Sequence, residues 1–299
     1  MAINFSNKEL DKAYGIAFGK LFPLDHDTIT KKIIRKSLLK YFNLKWSIFN
    51  FKQKILFNFK RRSLLKKKIN IKNISVDGFS NKNKYLNENI QELKTRGYTF
   101  IDNFFDKETH EAILKDYPIF NTFLHTKNII KNYYYCFLYE KFRKGFEVKN
   151  LEYYPDFKKF FDFLFSEEFE KKFSEITNNK KITSSFVCTY RNENSYLIPH
   201  MDGIYKDSSD YINYNFIYFI DGNNEFPKFS SGTGIFEDNE FEKPLLLPTS
   251  LKNSCLIYKS SKTDKFFHGF DIVKPFGFGK VVTFQLQDEE FVKNFRKAK

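Results

Sequence analysis

Short runs of alternating apolar and polar residues dominate the second half of the chain. They predict strands at 184–190, 211–220, 233–236, 254–259, 266–273 and 280–287. Turn-forming residues separate these runs, most clearly between Lys274 and Gly279. Many short strands joined by turns are typical of a jelly-roll barrel that holds a ligand cavity in its mouth.

The first part of the chain predicts helices and a linker. Residues 1–68 have the spacing of helices, and residues 70–83 form a polar linker. We therefore predict a basic helical N-terminal region at 1–83 and an α+β domain at 84–299. The core of that domain is predicted to be a double-stranded β-helix, a form of jelly roll, with flanking helices.

Helices are also predicted ahead of the strands in the second domain. One helix runs from about residue 84 to residue 95, before a first strand near 98–102. Asp106 is a suitable N-cap for the next helix, which ends at Lys115. Residues 121–180 are predicted to be mostly helical, and their many Tyr and Phe residues are compatible with core packing or with a substrate lid.

His200 and Asp202 suggest a metal site. Residues i and i+2 of a strand point to the same face, so a His-x-Asp pair can bind one ion. His268 lies between apolar residues, where a lone histidine is more often a core residue than a ligand. Two histidines and one carboxylate together form the ligand set of non-haem Fe(II) oxygenases, which leaves three positions for a co-substrate and O₂.

Lys280 opens the last predicted strand. The turn before it would fold that strand back against the one that carries His268. Near the metal, its ammonium would pair with the distal carboxylate of a dicarboxylate co-substrate whose other end chelates the iron. A solvent-facing lysine at a sheet edge is the alternative.

A set of separated motifs carries a resemblance to a known family. The motifs are Tyr190-x9-His200-x-Asp202, Gly232-Thr233-Gly234-Ile235-Phe236, Asn253-Ser254-Cys255-Leu256-Ile257-Tyr258, His268-Gly269-Phe270 and Lys280-Val281-Val282-Thr283, after an opening segment from Gly97 to Phe105. In this order they resemble the 2-oxoglutarate and Fe(II)-dependent oxygenases. Within that family, they are most similar to the prolyl-hydroxylase-like branch. The resemblance covers residues 90–290.

The resemblance implies His200, Asp202 and His268 as ligands of Fe(II), and Lys280 as the partner of the 2-oxoglutarate C5 carboxylate. Two features depart from the family pattern. The basic residue is Lys where many members have Arg, and it lies further past His268 than the pattern implies. A lysine offers a point charge and not a bidentate fork, so it would bind the carboxylate with less directional specificity than an arginine.

Further residues are implied in the co-substrate pocket. Tyr190 matches a tyrosine that contacts the co-substrate, and Thr283, Tyr218 and Asn215 are candidates to line the same pocket. The implied cofactors are Fe(II), 2-oxoglutarate and O₂, and the implied reaction is hydroxylation of an unactivated C–H bond. A non-catalytic barrel is the alternative, and the complete ligand set speaks against it.

Composition and cysteine usage suggest the compartment. The 299 residues with 41% hydrophobic content suffice for one large domain and an appendage. Cys136, Cys188 and Cys255 have no paired spacing, which predicts reduced thiols. Since the sequence shows neither a signal-peptide pattern nor a long uncharged apolar run, we expect a cytoplasmic protein.

The net charge of +14 arises in one segment. Residues 31–70 contain fourteen Lys and Arg and no Asp or Glu, so the rest of the chain is formally neutral. Interleaved apolar residues make this segment compatible with peripheral binding to an anionic membrane, with a helical layer packed on the barrel, or with nucleic-acid binding. The barrel half has no comparable basic cluster, which argues against a nucleic-acid substrate.

Two substrate classes remain open. Membrane association favours a small molecule, such as a glycan or a lipid-linked precursor, whereas the prolyl-hydroxylase-like motifs imply a peptide or protein substrate.

Overall fold

The computed structural model describes residues 86–118, 123–127, 130–141, 151–177, 180–201, 212–223, 232–261 and 266–297, with isolated positions between 44 and 74. The helices are α1 (Leu86–Thr95), α2 (Lys107–Lys115), α3 (Pro155–Leu164), α4 (Glu167–Thr177) and α5 (Glu289–Lys297), with a 3-10 turn at Leu151–Tyr153. The strands are β1 (Tyr98–Ile101), β2 (Leu124–Lys127), β3 (Lys131–Glu140), β4 (Lys181–Arg191), β5 (Tyr196–His200), β6 (Asn213–Gly222), β7 (Gly234–Phe236), β8 (Pro244–Leu246), β9 (Ser254–Ser260), β10 (Phe267–Phe270) and β11 (Gly279–Asp288).

These strands form one antiparallel sheet in the order β1-β9-β6-β11-β4-β3-β5-β10-β7-β8, and β2 pairs with β3. The sheet curls until its two parts face each other, because Ile235 of β7 lies in one apolar cluster with Phe219 of β6 and Val281 of β11. Two facing sub-sheets around such an interior are the arrangement of a double-stranded β-helix. The predicted α+β jelly-roll class is therefore confirmed.

The larger sub-sheet comprises β1, β9, β6, β11, β4 and β3, and the smaller one comprises β5, β10, β7 and β8. Helices cover the outer face of the larger sub-sheet. Val282 and Phe284 of β11 belong to a second apolar cluster, which also contains Phe157 and Phe160 of α3. We call this side the helix-covered face, and the side of Val281 the barrel interior. Since side chains alternate along a strand, each residue of β4, β6 and β11 points to one or the other.

The local predictions had mixed outcomes. Asp106 caps α2 as expected, since its carboxylate accepts a hydrogen bond from the Thr109 N–H at 3.0 Å. The mostly helical prediction for 121–180 is wrong for β2 and β3. The run Tyr133–Tyr135 lies in β3, which pairs with both β4 and β5. Aromatic residues favour strands when cross-strand packing is present, and this tertiary pairing overrides the local pattern.

The segment predicted as a linker contacts the second domain at two described positions, since Ile74 packs against the helix-covered cluster and Ile71 also contacts α3. Ile71 is buried, and its N–H donates to the Asp156 carboxylate at 3.2 Å. Residue 83 and most of the segment 31–70 lie outside the described residues, so the division at 83/84 stays a prediction. Among the described helices, none has both the length and the apolar content needed to cross a membrane.

A buried ion pair joins the first residue of β4 to the last residue of β11. The Lys181 ammonium is 2.6 Å from the Asp288 carboxylate, and the Lys181 side chain is 1% exposed. Asp288→Asn is expected to lower the free energy of unfolding by about 3 kcal/mol, because it removes the counter-charge of a buried ammonium. Urea unfolding measures this loss.

The control is the double variant Lys181→Met/Asp288→Leu. It removes both buried charges together and should recover most of the lost stability. A loss below about 1 kcal/mol for Asp288→Asn would contradict a structural role for the pair.

Candidate metal centre

Two histidines meet across neighbouring strands of the smaller sub-sheet. His200, the last residue of β5, is the direct cross-strand partner of His268 in β10. Their ring centroids lie 4.3 Å apart, with 46° between the ring planes. Residues directly opposite each other in an antiparallel pair share one face of the sheet. The two imidazoles are therefore placed to bind a single ion.

The hydrogen bond of His200 fixes its tautomer. Its Nδ1–H donates to the Ile198 carbonyl oxygen at 2.9 Å. Because a carbonyl only accepts hydrogen bonds, Nδ1 must carry the proton, and Nε2 keeps its lone pair. Metal-binding histidines usually donate their other N–H in this way, which sets the tautomer and the ring orientation. His200 is thus held in the form that a metal ligand requires.

His268 is buried in the barrel interior. Its ring packs against the Tyr258 ring at 4.9 Å between centroids, with 33° between the planes. Tyr258 belongs to the interior apolar cluster with Phe219 and Val281. This packing orients the His268 ring from the side of the facing sub-sheet.

Gly269 lets β5 approach β10 at the histidine pair. A Cβ at this position would lie 2.5 Å from the Leu197 carbonyl oxygen and 2.7 Å from the Pro199 nitrogen, both of which are backbone atoms. The pairing of the two strands shifts register between His268 and Phe270. Close approach of two backbones is a common reason for glycine inside a strand.

Asp202, the predicted carboxylate ligand, lies outside the described residues. Within the part of the chain that the structure describes, no group of three His, Cys, Asp or Glu side chains is placed to hold a metal. The described residues supply two imidazoles on one face, a donor set that suits Fe(II), Co(II), Ni(II) or Zn(II). The two histidines thus fit the implied ion, and the third ligand stays a prediction.

Lys280 lies on the helix-covered face. Its ammonium is 3.6 Å from the Asp221 carboxylate and 5.8 Å from the ring centroid of Tyr117. Tyr117 belongs to the helix-covered cluster, whereas Val281, the next residue of β11, belongs to the interior cluster. The structure therefore does not bring Lys280 to the histidine pair.

Two predicted co-substrate contacts share that face. Tyr190 packs against Phe123, with ring centroids 5.9 Å apart, and burial and the nearby Asp221 raise its pKa. Tyr218 is fully buried, and its hydroxyl donates to the Asn253 side-chain oxygen at 3.2 Å. Burial raises the pKa of Tyr218 well above its usual value. Both tyrosines are therefore placed away from the barrel interior.

Thr283 and Asn215 point into the barrel. Thr283 follows Val281 by two residues on β11 and so shares its face. Asn215 is the cross-strand partner of Tyr258. Its side-chain oxygen accepts a hydrogen bond from Gln285 at 2.8 Å, and its amide donates to the Ser260 hydroxyl at 3.0 Å. Of the predicted co-substrate contacts, these two residues share the interior with the histidines.

Arg191 is an interior residue that sequence reasoning missed. Its guanidinium carbon is 4.0 Å from the ring centroid of Phe270 and 6.0 Å from that of Phe219. Burial lowers the pKa of Arg191 to about 9, while the nearby Tyr133 and Tyr117 act in the opposite direction. The motif pattern drew attention to Tyr190, one position earlier. Only the pairing of β4 shows which of the two residues points inward.

Comparison with known proteins finds similarity in structure alone. No protein-family model and no curated protein sequence matches the chain. A prolyl hydroxylase from Trichoplax adhaerens, solved with a hypoxia inducible factor peptide, has a TM-score of 0.49 and 12% identity over 70% of this chain and 90% of that one. A 2OG-Fe(II) oxygenase family oxidoreductase from Burkholderia pseudomallei has a TM-score of 0.48 and 12% identity over 67% and 89%.

A third similar structure is a prolyl-4-hydroxylase from Pseudomonas putida, with a TM-score of 0.46 and 8% identity over 68% of this chain and 98% of that one.

Gly269→Ala should disrupt the histidine pair. Its Cβ would collide with backbone atoms of β5, so the two strands must separate and the imidazoles no longer meet. We expect the affinity for Co(II), measured by visible absorption, to fall by about tenfold or more.

Gly277→Ala is the matched control. A Cβ there would lie 2.5 Å from a Val273 methyl group and 2.9 Å from the Lys274 carbonyl oxygen, in the turn before β11. This variant should lose stability but keep its Co(II) affinity. An unchanged Co(II) affinity in a folded Gly269→Ala variant would show that the glycine is not needed to position the two histidines.

Proposed function

We propose that this chain is an Fe(II)- and 2-oxoglutarate-dependent dioxygenase that hydroxylates an unactivated C–H bond. The observation that carries the proposal is the cross-strand pair of His200 and His268 inside a double-stranded β-helix. Asp202 would complete a set of two histidines and one carboxylate, which leaves open positions for 2-oxoglutarate and O₂.

A bound ferrous ion would couple the decarboxylation of 2-oxoglutarate to succinate and CO₂ with hydroxylation of the substrate, one oxygen atom of O₂ entering each product. The residues of the chain orient and shield this centre. The Nδ1–H of His200, bonded to the Ile198 carbonyl, keeps Nε2 as the ligand atom. Tyr258 packs on His268, and the buried side chains of Phe219 and Ile235 help to exclude water.

We propose further that the basic segment at 31–70 binds an anionic membrane surface, and that the substrate is a small molecule, such as a glycan or lipid-linked precursor. Four described apolar residues in this segment are solvent-exposed: Leu44 (62%), Ile48 (54%), Phe51 (66%) and Ile55 (42%). Spacings of four, three and four residues place them on one helix face. The charges of the segment are exclusively positive, which complements anionic headgroups.

The oxygenase proposal is tested by anaerobic titration with Fe(II) and 2-oxoglutarate. Chelation of the ion by the co-substrate should produce a visible metal-to-ligand charge-transfer band. His200→Ala and His268→Ala should each abolish it, because each removes a ligand.

His125→Ala is the matched histidine control. His125 is exposed and stacks on Tyr134 in β3, with ring centroids 4.6 Å apart, so its loss should leave the band unchanged. A folded wild-type protein that develops no band would refute the oxygenase proposal.

Membrane binding is tested by co-sedimentation with vesicles of phosphatidylserine and phosphatidylcholine. Ile48→Glu/Phe51→Glu should weaken binding by at least about tenfold, since it removes two apolar contacts and adds two negative charges. Pure phosphatidylcholine vesicles should bind the wild type weakly.

Phe276→Glu serves as the control. Phe276 is 88% exposed but lies in the turn before β11, outside the basic segment. Equal sedimentation of the wild type and the Ile48→Glu/Phe51→Glu variant would exclude this face as the membrane contact.

A further inference from the structure

Arg191 points into the barrel at the end of β4. Thr189, two residues earlier, is the cross-strand partner of Val281, whose side chain lies in the interior cluster. Arg191 shares the face of Thr189 because side chains two apart in a strand point the same way. Its own partner on β11 is Gly279, which has no side chain to fill the adjacent space.

The ring contacts of Arg191 place its charged end between the two sub-sheets. The guanidinium carbon lies 4.0 Å from the Phe270 centroid on β10 and 6.0 Å from the Phe219 centroid on β6. Phe270 follows His268 by two residues, so their side chains share a face about 6.6 Å apart along the strand. The guanidinium therefore lies one side-chain step along the barrel from the histidine pair.

The chemistry of this group suits a carboxylate ligand. The Arg191 side chain is almost fully buried, and a pKa of about 9 leaves it positively charged at neutral pH. A guanidinium binds a carboxylate through two parallel, charge-assisted hydrogen bonds, and these are stronger where water is excluded. Contact with the Phe270 ring adds a cation–π interaction that holds the group in place.

Lys280 is the other basic residue near this end of β11, and its surroundings differ. Its ammonium lies on the helix-covered face, 3.6 Å from the Asp221 carboxylate. To reach the interior, this side chain would have to leave Asp221 and cross its own strand. The two cationic side chains thus lie on opposite faces of one sheet.

We infer that Arg191, in place of Lys280, binds the distal carboxylate of a dicarboxylate whose other end reaches a metal held by His200 and His268. The inference rests on the proposed function, in which that dicarboxylate is 2-oxoglutarate. It makes Arg191 the residue that selects a dicarboxylate over 2-oxo acids with a single carboxylate.

The test compares 2-oxoglutarate with pyruvate, which has the same 2-oxo acid group but no distal carboxylate. Both are titrated anaerobically into the Fe(II)-loaded full chain, and binding is followed by visible absorption. Arg191→Met should weaken 2-oxoglutarate binding by about 100-fold, as expected for loss of a buried charge pair. Its pyruvate affinity should stay unchanged, so the preference for the dicarboxylate disappears. Lys280→Met should change neither affinity by more than about twofold.

A second variant and a second measurement distinguish loss of carboxylate binding from misfolding of the variant. Arg191→Lys keeps the charge but lacks the planar fork, and should weaken 2-oxoglutarate binding by about tenfold. The rise in Tm that 2-oxoglutarate produces in the Zn(II)-loaded protein reports binding without redox chemistry. That rise should shrink in both Arg191 variants and persist in Lys280→Met.

Two results would overturn the inference and are distinguishable. If Lys280→Met loses the preference for 2-oxoglutarate while the Arg191 variants keep it, the distal carboxylate site belongs to Lys280 and the proposed function stands. If the folded wild type binds neither acid with either metal, the proposed function fails, and this inference fails with it.

Discussion

The alternation of side chains along β11 and its two neighbours is the constraint on which the rest of the structure depends. Val281 packs into the barrel interior, while Val282 packs against the helices. Because β4 and β6 pair with β11 on either side, the same division applies to them. A shift by one residue would send the side chains of each face to the other face, where the packing partners differ, so the register is strongly determined. The two faces therefore have separate tasks, since one stabilises the domain and the other can hold ligands.

Close contacts between strands and between the two sub-sheets position the residues of the candidate site. Gly269 allows β5 to lie close to β10, and this pairing brings His200 opposite His268. Tyr258 from the facing sub-sheet packs on His268, and Arg191 reaches across to Phe270. The two histidines and the buried cation are thus positioned by strands, which hold side chains more accurately than loops do.

The sequence was informative about the strands and the histidines, and uninformative about which way side chains point. The spacing of His200 and its motif context identified the residues that meet in the structure. Register across strands is a property of pairing, so sequence could not separate Tyr190, on the helix-covered face, from Arg191 in the interior. For the same reason, it could not show that the buried free thiols of Cys136 and Cys188 are direct cross-strand partners.

The central claim is that His200 and His268 bind the same metal ion. Electron spin echo spectroscopy of the Cu(II)-loaded protein tests it directly, because the remote nitrogen of each bound imidazole modulates the echo. We predict the signature of two equivalent imidazoles in the wild type and of one in His268→Ala. A wild-type spectrum with one imidazole or none would contradict the claim.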